Sequence, residues 1–245
     1  FTQYWGLRAR TFYKSGTPEF DDYQTLWVPE PNYASASKIE VKAKADGRFI
    51  VAFDQSFDPG GSLISAQRYF SDGSPQGDKM KLNIGPPGTQ SLGGLEYFAD
   101  GGFVAVYEDT SADGAGYGVR AQLFKSNGDP DGGPITVNAV AAGDQRWPGV
   151  VVLDTDEFVV SFIWGGVVYT RRFERDGTPA LGRREKQANE TGPGAQRRPD
   201  AAALANGTAM IVWEAPVTSL EDGEVLGRLF GADGTPIGGE QILNG

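Results

Sequence analysis

A short hairpin signature returns five times along this chain and constrains the kind of fold it can form. Each copy places a glycine in a tight turn with a proline two residues later, and the aligned glycines are Gly16, Gly73, Gly128, Gly177 and Gly234. The steps between them are 57, 55, 49 and 57 residues. Self-similarity at a period of about 50 residues marks a repeat architecture, and repeats rich in short strands are typical of β-propeller blades.

Each repeat has the pattern of four strands, which we name a, b, c and d in chain order. Strand b, as in Phe103–Tyr107, is apolar at nearly every position, which is typical of a strand buried on both faces. Strand c alternates apolar residues with Arg120 and Gln122, which predicts one half-exposed face. No stretch has a helical period of apolar residues, so the sequence predicts an all-β protein.

The repeats predict a five-bladed β-propeller of four-stranded antiparallel blades, formed as a single domain over residues 1–245. The repeats run roughly over residues 1–33, 34–87, 88–142, 143–193 and 194–245. Residues 1–28 match strands b, c and d, so we expect the first blade to lack its first strand. Either upstream chain completes this blade or the blade is incomplete. An incomplete blade leaves an open edge, and if the protein is a subunit of a larger assembly we expect it to dock there.

Composition excludes several classes of function. The formal net charge is −10, so a phosphate backbone or an anionic membrane surface is repelled and nucleic-acid binding is not expected. The chain has no Cys and no His, which excludes disulfides, thiolate or histidine metal sites, and Ser-His-Asp catalysis. No apolar run approaches the roughly 18 residues of a transmembrane helix, so we expect no direct insertion into a membrane.

Carboxylates are expected to gather at one end of the blades. Because strands a and b are antiparallel, the end of b lies beside the start of a, whereas the other end is made of short Asp-Gly and Asn-Gly turns. Three repeats place a carboxylate directly after an aromatic residue at the end of strand b, at Asp54, Glu108 and Glu214. These acids are either solvated loop starts or a ring that binds a cation or a polar ligand.

Two of the loops that follow strand b carry oxygen-bearing side chains at alternate positions. One loop holds Asp54 and Asp58, and the other holds Asp109, Ser111 and Asp113 followed by a glycine. This pattern is similar to the first half of a calcium-binding loop, although neither loop has the distal glutamate. Asp, Ser and Gly also form ordinary turns. A structural Ca²⁺ ion and plain turns are therefore both consistent with the pattern.

A third pattern lies where strand d passes into the next strand a. It is Gln-Arg-Trp-Pro from residue 145 and Gln-Arg-Arg-Pro from residue 196. Gln and Arg supply hydrogen-bonding groups and Trp supplies a flat apolar surface, which is the mixture that binds sugars and carboxylated ligands. Alternatively, the glutamines only cap backbone groups between blades. The residues predicted to form a ligand-binding site are Gln145, Arg146, Trp147, Gln196, Arg197, Trp164 and Glu214.

The copy from Phe103 to Asn138, with the Gly-Asp-Gln-Arg-Trp-Pro segment that follows, resembles a repeat of large secreted bacterial proteins. Many of those proteins carry calcium-binding RTX-type or adhesin modules elsewhere. The resemblance extends over four copies, and the repeat around Trp164 departs from it through a short loop without acids. It implies an extracellular or periplasmic β-propeller but no particular activity, because a fold does not determine a function.

Three functions are consistent with these features. The main prediction is a non-catalytic, lectin-like extracellular module for a carbohydrate or protein ligand, because repeated shallow sites give avidity. On this prediction the protein is not an enzyme. The first alternative is a scaffold or accessory subunit of a larger assembly. The second is a glycosidase that uses two carboxylates from among Asp54, Glu108 and Glu214, although acids that recur by repeat symmetry speak against a catalytic pair.

Overall fold

The computed structural model describes the backbone of residues 7–9, 24–27, 33–57, 61–180, 184–190, 194–215 and 223–244, with side chains from residue 37 onward except 56–61. In these ranges all regular structure is β, apart from one turn of 3-10 helix at Ala205–Gly207. The all-β prediction is confirmed. The chain divides into two compact units, residues 1–82 and 83–245. Within the ranges given, no helix has the length and apolar character needed to cross a membrane.

The first unit contains a two-stranded sheet and a four-stranded sheet. In the former, β1 (Leu7–Ala9) pairs antiparallel with β2 (Gln24–Trp27), at the positions predicted for strands c and d of the first blade. The strand b predicted for that blade, over residues 1–6, lies outside the described residues. The four-stranded sheet has its strands in chain order: β3 (Tyr33–Ala43), β4 (Phe49–Phe57), β5 (Gly61–Tyr69) and β6 (Met80–Lys81).

The second unit contains three four-stranded sheets, again with their strands adjacent in chain order. The first has β7 (Gln90–Tyr97), β8 (Phe103–Asp109), β9 (Gly118–Phe124) and β10 (Ile135–Thr136). The second has β11 (Gln145–Val152), β12 (Phe158–Trp164), β13 (Val167–Phe173) and β14 (Lys186–Gln187). The third has β15 (Arg197–Ala203), β16 (Ala209–Ala215), β17 (Glu224–Phe230) and β18 (Pro236–Ile242).

Every neighbouring pair of strands in these sheets is antiparallel, which confirms the predicted order a, b, c, d. The described residues form four such four-stranded sheets, where the repeats predict five blades with the first one incomplete. The two strands β1 and β2 are what the described residues contain of the remaining repeat.

The turn between strands c and d repeats one set of local contacts. In the turn that follows β13, Asp176 Oδ1 accepts hydrogen bonds from Thr178 N at 2.8 Å and from Thr178 Oγ1 at 2.7 Å. These hydrogen bonds lower the pKa of Asp176, the one from the backbone N–H more than the one from the hydroxyl. Gly177 has φ +84°, a conformation that glycine adopts without strain. Asp72 and Asp233 accept the same two hydrogen bonds from Ser74 and Thr235, and Asn127 takes this place between β9 and β10.

The second strand of each sheet carries the core. β8 is buried along its whole length, and Val106 in β8 and Val160 in β12 have no exposed surface. Phe103, the first residue of β8, stacks on Phe124, the last residue of β9, with the ring centroids 4.6 Å apart. Phe158 and Phe173 repeat this contact at 5.0 Å. The predicted burial of strand b on both faces is confirmed for these two sheets.

The predicted half-exposed face of strand c is wrong at Gln122 and Arg171, although Arg120 and Arg228 are partly exposed as predicted. Gln122 is fully buried, and its Nε2 donates to the carbonyls of Leu123 at 2.9 Å and Gly132 at 3.0 Å. In the next sheet, Arg171 is 9% exposed and its Nη1 donates to the Val137 carbonyl, 34 residues away, at 2.5 Å. Arg171 thus lies between two neighbouring sheets of this unit, whereas Gln122 binds backbone carbonyls of its own repeat.

The first strands of neighbouring sheets approach each other closely. β11 contacts both β7 and β15. A Cβ atom added to Gly93 in β7 would overlap the carbonyl oxygen of Pro148 in β11. The adjacent Gly94 has room, because its nearest neighbour would be Val150 Cγ1 at 3.7 Å, an ordinary van der Waals distance. Gly93 is thus required by the spacing of these two strands, whereas Gly94 is not.

We therefore expect Gly93→Ala to destabilise the protein by about 1–3 kcal/mol, the usual cost of forcing an extra methyl into a packed site. The free energy of unfolding in urea measures this. Gly94→Ala is the matched control, in the same strand with the same added methyl, and it should stay near the parent value. Equal costs at the two positions would contradict the close approach of β7 and β11.

Candidate functional site

The first strand of three sheets contains a β-bulge at one equivalent position. The register shifts between Ser37 and Glu40, between Arg146 and Gly149, and between Arg197 and Asp200. Within these bulges Lys38, Trp147 and Arg198 have φ values of 45°, 53° and 45°. Non-glycine residues seldom adopt this conformation, and bulges of this kind often lie next to functional sites, where they redirect side chains.

These bulges correct the predicted position of the Gln-Arg pattern. The sequence places it in a linker between strands d and a, but β11 already begins at Gln145 and β15 at Arg197. The pattern is the start of strand a itself. Its side chains are therefore held by strand pairing and lie at the end of the sheet where strand b finishes.

Glu108 joins two neighbouring sheets at this end. Its side chain is 1% exposed, and its Oε2 accepts a hydrogen bond from Arg146 Nε at 3.0 Å. Its Oε1 accepts a hydrogen bond from the backbone N–H of Trp147 at 2.7 Å. The Arg146 guanidinium also lies over the ring of Tyr117, 3.8 Å from its centroid. One buried carboxylate thus holds both the arginine and the backbone of the bulge.

Gln145 and Trp164 face each other across β11 and β12 and share one acceptor. The Ala142 carbonyl accepts hydrogen bonds from Trp164 Nε1 at 2.6 Å and from Gln145 Nε2 at 3.2 Å. Gln145 Nε2 also donates to the Gly143 carbonyl at 3.1 Å. The amide nitrogen of Gln145 therefore caps backbone groups. Its Oε1 is buried and has no hydrogen-bond partner among the described residues.

The remaining predicted residues belong to the next sheet. Arg197 is opposite Glu214 across β15 and β16, and Glu214 Oε1 accepts a hydrogen bond from Arg198 Nη1 at 3.0 Å. Gln196 is 4% exposed, and its Oε1 lacks a partner within the described ranges. The predicted ligand site therefore falls into two neighbouring groups. One contains Gln145, Arg146, Trp147 and Trp164, and the other contains Gln196, Arg197 and Glu214.

The strand register also corrects the alignment of Trp164. The sequence places it with Phe53, Tyr107 and Trp213 as the aromatic end of strand b. Because Phe158 pairs with Phe173 as Phe103 pairs with Phe124, Phe162 is the true equivalent of Tyr107. Trp164 then occupies the position of Asp109, and Ile163 occupies that of Glu108. The equivalence of Asp54, Glu108 and Glu214 holds, since each is the sixth residue of its strand.

An arginine occupies the inside of one predicted calcium loop. Asp109 is fully buried, and its Oδ2 accepts a hydrogen bond from Arg120 Nε at 2.8 Å. Arg120 Nη2 donates to the carbonyls of Ser111 at 3.1 Å and Ala112 at 3.3 Å. The other oxygen of Asp109 accepts hydrogen bonds from Ser111 N at 2.8 Å and Ser111 Oγ at 2.7 Å. Both carboxylate oxygens of Asp109 therefore already accept hydrogen bonds from protein groups.

These contacts set the charge of Asp109. Burial alone would raise the pKa of Asp109, but hydrogen bonds from Ser111, Gln90 and Arg120 together lower it.

The sequence does not identify Arg120 or Tyr117 as functional residues. The alternation of strand c indicates only that Arg120 is a polar position, and no pattern singles out Tyr117. The contact of Arg120 with Asp109 and that of Tyr117 with Arg146 both depend on how the loop between β8 and β9 folds back.

The other predicted metal ligands are placed as follows. Asp113 Oδ1 accepts a hydrogen bond from Ala115 N at 3.1 Å, and its Oδ2 accepts one from Asn138 Nδ2 at 2.6 Å. Asp54 is 9% exposed in β4, and Asp58 lies outside the described residues. In the part of the chain that the structure describes, no group of three or more Asp, Glu, His or Cys is arranged to hold a metal ion. Calcium binding at either loop stays a prediction.

No protein-family model and no curated protein sequence matches this chain. Solved structures do match it. The endo-arabinase from Bacteroides thetaiotaomicron VPI-5482 aligns over 98% of this chain and 87% of its own, with a TM-score of 0.53 and 14% identity. A thermostable family-43 glycoside hydrolase aligns over 86% and 72%, with a TM-score of 0.52 and 12% identity. A family PL25 ulvan lyase aligns over 82% and 57%, with a TM-score of 0.52 and 13% identity.

These similarities correct two predictions. The non-catalytic, lectin-like binding module and the accompanying absence of enzymatic activity are both overturned, because the matching structures are those of carbohydrate-active enzymes. Of the functions weighed from the sequence, the glycosidase alternative fits them better. No match supports the RTX- or adhesin-associated repeats in particular. At this level of identity the likeness establishes the fold, an all-β, β-propeller-like fold of the kind found in glycoside hydrolases.

Proposed function

We propose that this protein is a carbohydrate-active enzyme that cleaves glycosidic bonds in a polysaccharide. The observation that carries the proposal is the similarity to an endo-arabinase over 98% of the chain. The repeat period and this similarity also support a five-bladed propeller as the complete architecture. A polysaccharide does not pass through a membrane, so the proposal includes export of the protein to the periplasm or the cell exterior.

Glycoside hydrolysis needs carboxyl groups that reach the substrate, and the three equivalent acids differ in this respect. The Glu108 side chain is 1% exposed, and both of its oxygens accept hydrogen bonds from the protein. It is therefore suited to orienting Arg146 and the Trp147 backbone. Asp54, in the first unit, is 9% exposed. The Glu214 side chain is 43% exposed, and only its Oε1 has a partner among the described residues. We assign Glu214 as the carboxylate that contacts the substrate.

Glu214→Gln is expected to lower the rate of polysaccharide cleavage by about 100-fold or more, because an amide of the same shape does not transfer a proton. Arabinan, xylan and ulvan are incubated with the parent and the variant, and the release of reducing ends is measured. Glu174→Gln is the matched control, since Glu174 is an exposed glutamate in the turn at the opposite end of the sheets. Cleavage of no polymer by the parent, or unchanged cleavage by Glu214→Gln, would contradict the proposal.

A further inference from the structure

The guanidinium of Arg146 is held in one orientation, and its two terminal nitrogens have no hydrogen-bond partner among the residues that the structure describes. Its Nε donates a hydrogen bond to Glu108 at 3.0 Å, and its Cζ lies over the Tyr117 ring, 3.8 Å from the ring centroid. The side chain is 35% exposed. A guanidinium that is fixed before a ligand arrives loses little entropy when it binds that ligand.

The positive charge of Arg146 is already matched by the buried carboxylate of Glu108. A second negative charge lies nearby, because Asp144 Oδ1 accepts the backbone N–H of Tyr117 at 3.0 Å. The formal charge of the whole chain is −10. A carboxylate or sulfate group on a ligand would therefore meet excess negative charge at this point. The hydroxyl groups of an uncharged sugar accept hydrogen bonds from Nη1 and Nη2 without that cost.

Trp147, the next residue, adds an aromatic surface. It is 36% exposed and is held in the bulge at φ 53° by the hydrogen bond from its N–H to Glu108 Oε1. Its indole N–H and the Tyr117 hydroxyl have no partners among the residues that the structure describes. Flat aromatic rings with a free polar group suit sugars, which present apolar C–H faces and peripheral hydroxyls.

We propose that Arg146, Trp147 and Tyr117 form a binding subsite for an uncharged sugar unit. Glu108 is a positioning residue of this subsite, since it contacts Arg146 and the Trp147 backbone but is itself buried. The inference rests on the proposed function and specifies its substrate class as a neutral polysaccharide. It also separates the roles of two equivalent acids, with Glu108 orienting the subsite and Glu214 facing the substrate.

Affinity gel electrophoresis tests the subsite without requiring any activity. Native gels contain arabinan or xylan as uncharged polymers, or polygalacturonate or ulvan as charged ones. We expect at least one uncharged polymer, and neither charged polymer, to retard the parent. Arg146→Lys keeps the charge but removes the fork of nitrogens and the flat stacking group. It should raise the apparent Kd for the uncharged polymer at least ten-fold.

The chain offers a matched control for the arginine substitution. Arg175 lies 3.9 Å from the ring centroid of Phe98 and pairs with Asp100 Oδ2 at 2.9 Å, so it has the same kind of stacking and ion pair. It follows β13, at the end of the sheet opposite to Trp164. Arg175→Lys should migrate like the parent in every gel, and melting curves verify that each variant is folded.

Glu108→Gln separates the effect of charge from that of shape. The amide has nearly the shape of the carboxylate, but it leaves the charge of Arg146 unmatched. We expect weaker retardation by the uncharged polymer and stronger retardation by polygalacturonate than in the parent. A merely structural role for Glu108 would weaken retardation by the uncharged polymer with no gain for polygalacturonate, and that result would overturn the assignment.

Three other results would overturn the subsite. They are parent-like binding by Arg146→Lys, retardation of the parent by charged polymers only, and retardation by none of the four polymers. The outcome is distinguishable from that of the proposed function. Binding that depends on Arg146 in a protein that cleaves nothing supports the subsite and contradicts the enzyme. Cleavage that is insensitive to Arg146→Lys contradicts the subsite alone.

Discussion

Replacing Val106 by aspartate is expected to unfold the unit formed by residues 83–245. Val106 has no exposed surface and packs in a core cluster that includes Val119, Val160 and Phe162. A carboxylate buried among these apolar side chains costs several kcal/mol, roughly 3 or more. That is a large part of the total stability of a typical domain, about 5–15 kcal/mol. Circular dichroism melting of the variant should show no cooperative transition at the parent's temperature.

The control makes the same substitution on an exposed strand. Val41 lies in β3 and is 55% exposed, so Val41→Asp leaves the new charge in water. The expected cost is about 1 kcal/mol or less. A Val106→Asp variant that melts with the parent would show that strand b is not the buried strand of its sheet.

Replacing Arg120 by methionine is expected to have the second largest effect, a loss of about 3–5 kcal/mol. The Asp109 side chain has no exposed surface, so its charge would be left buried without its cation. The carbonyls of Ser111 and Ala112 would lose a donor as well. Urea unfolding at pH 7 measures the loss. Asp109→Asn combined with Arg120→Met should be less destabilised than Arg120→Met alone, because the double variant leaves no unpaired charge.

The pH dependence gives an independent check on this pair. The pKa of Asp109 is lowered in the folded protein, so the stability that its charge contributes is present above its unfolded pKa, about 3.9, and is lost as the pH falls. The difference in unfolding free energy between the parent and Asp109→Asn should therefore shrink below about pH 4. A difference that grows on acidification would contradict the assigned direction.

Arg48→Met provides the matched surface pair. Arg48 and Asp46 form an ion pair with both side chains 43% exposed. Exposed pairs of this kind contribute about 0–1 kcal/mol. A cost for Arg48→Met as large as that for Arg120→Met would show that burial is not what makes the Arg120 pair important.

The elements that the sequence determines by itself are those set by neighbouring residues. Asp176, Gly177 and Thr178 form their turn through contacts within two residues, so the period of the hairpins could be found directly. The unbroken apolar run of β8 likewise identifies the strand that is buried on both faces. Backbone conformation and strand burial of this kind depend on local steric preference and on hydrophobicity, both of which are readable from a single repeat.

Contacts between sheets were decided only by the tertiary structure. Glu108 and Arg146 are 38 residues apart, and the hydrogen bond between them exists because two sheets pack with a bulge at the junction. The alternation of strand c predicts an exposed Gln122, yet its side chain is fully buried and binds the carbonyls of Leu123 and Gly132. Trp164 appears equivalent to Tyr107 until the strand register shows otherwise. Periodicity within one strand does not specify what covers its second face, so the partners of these side chains depend on how the sheets pack.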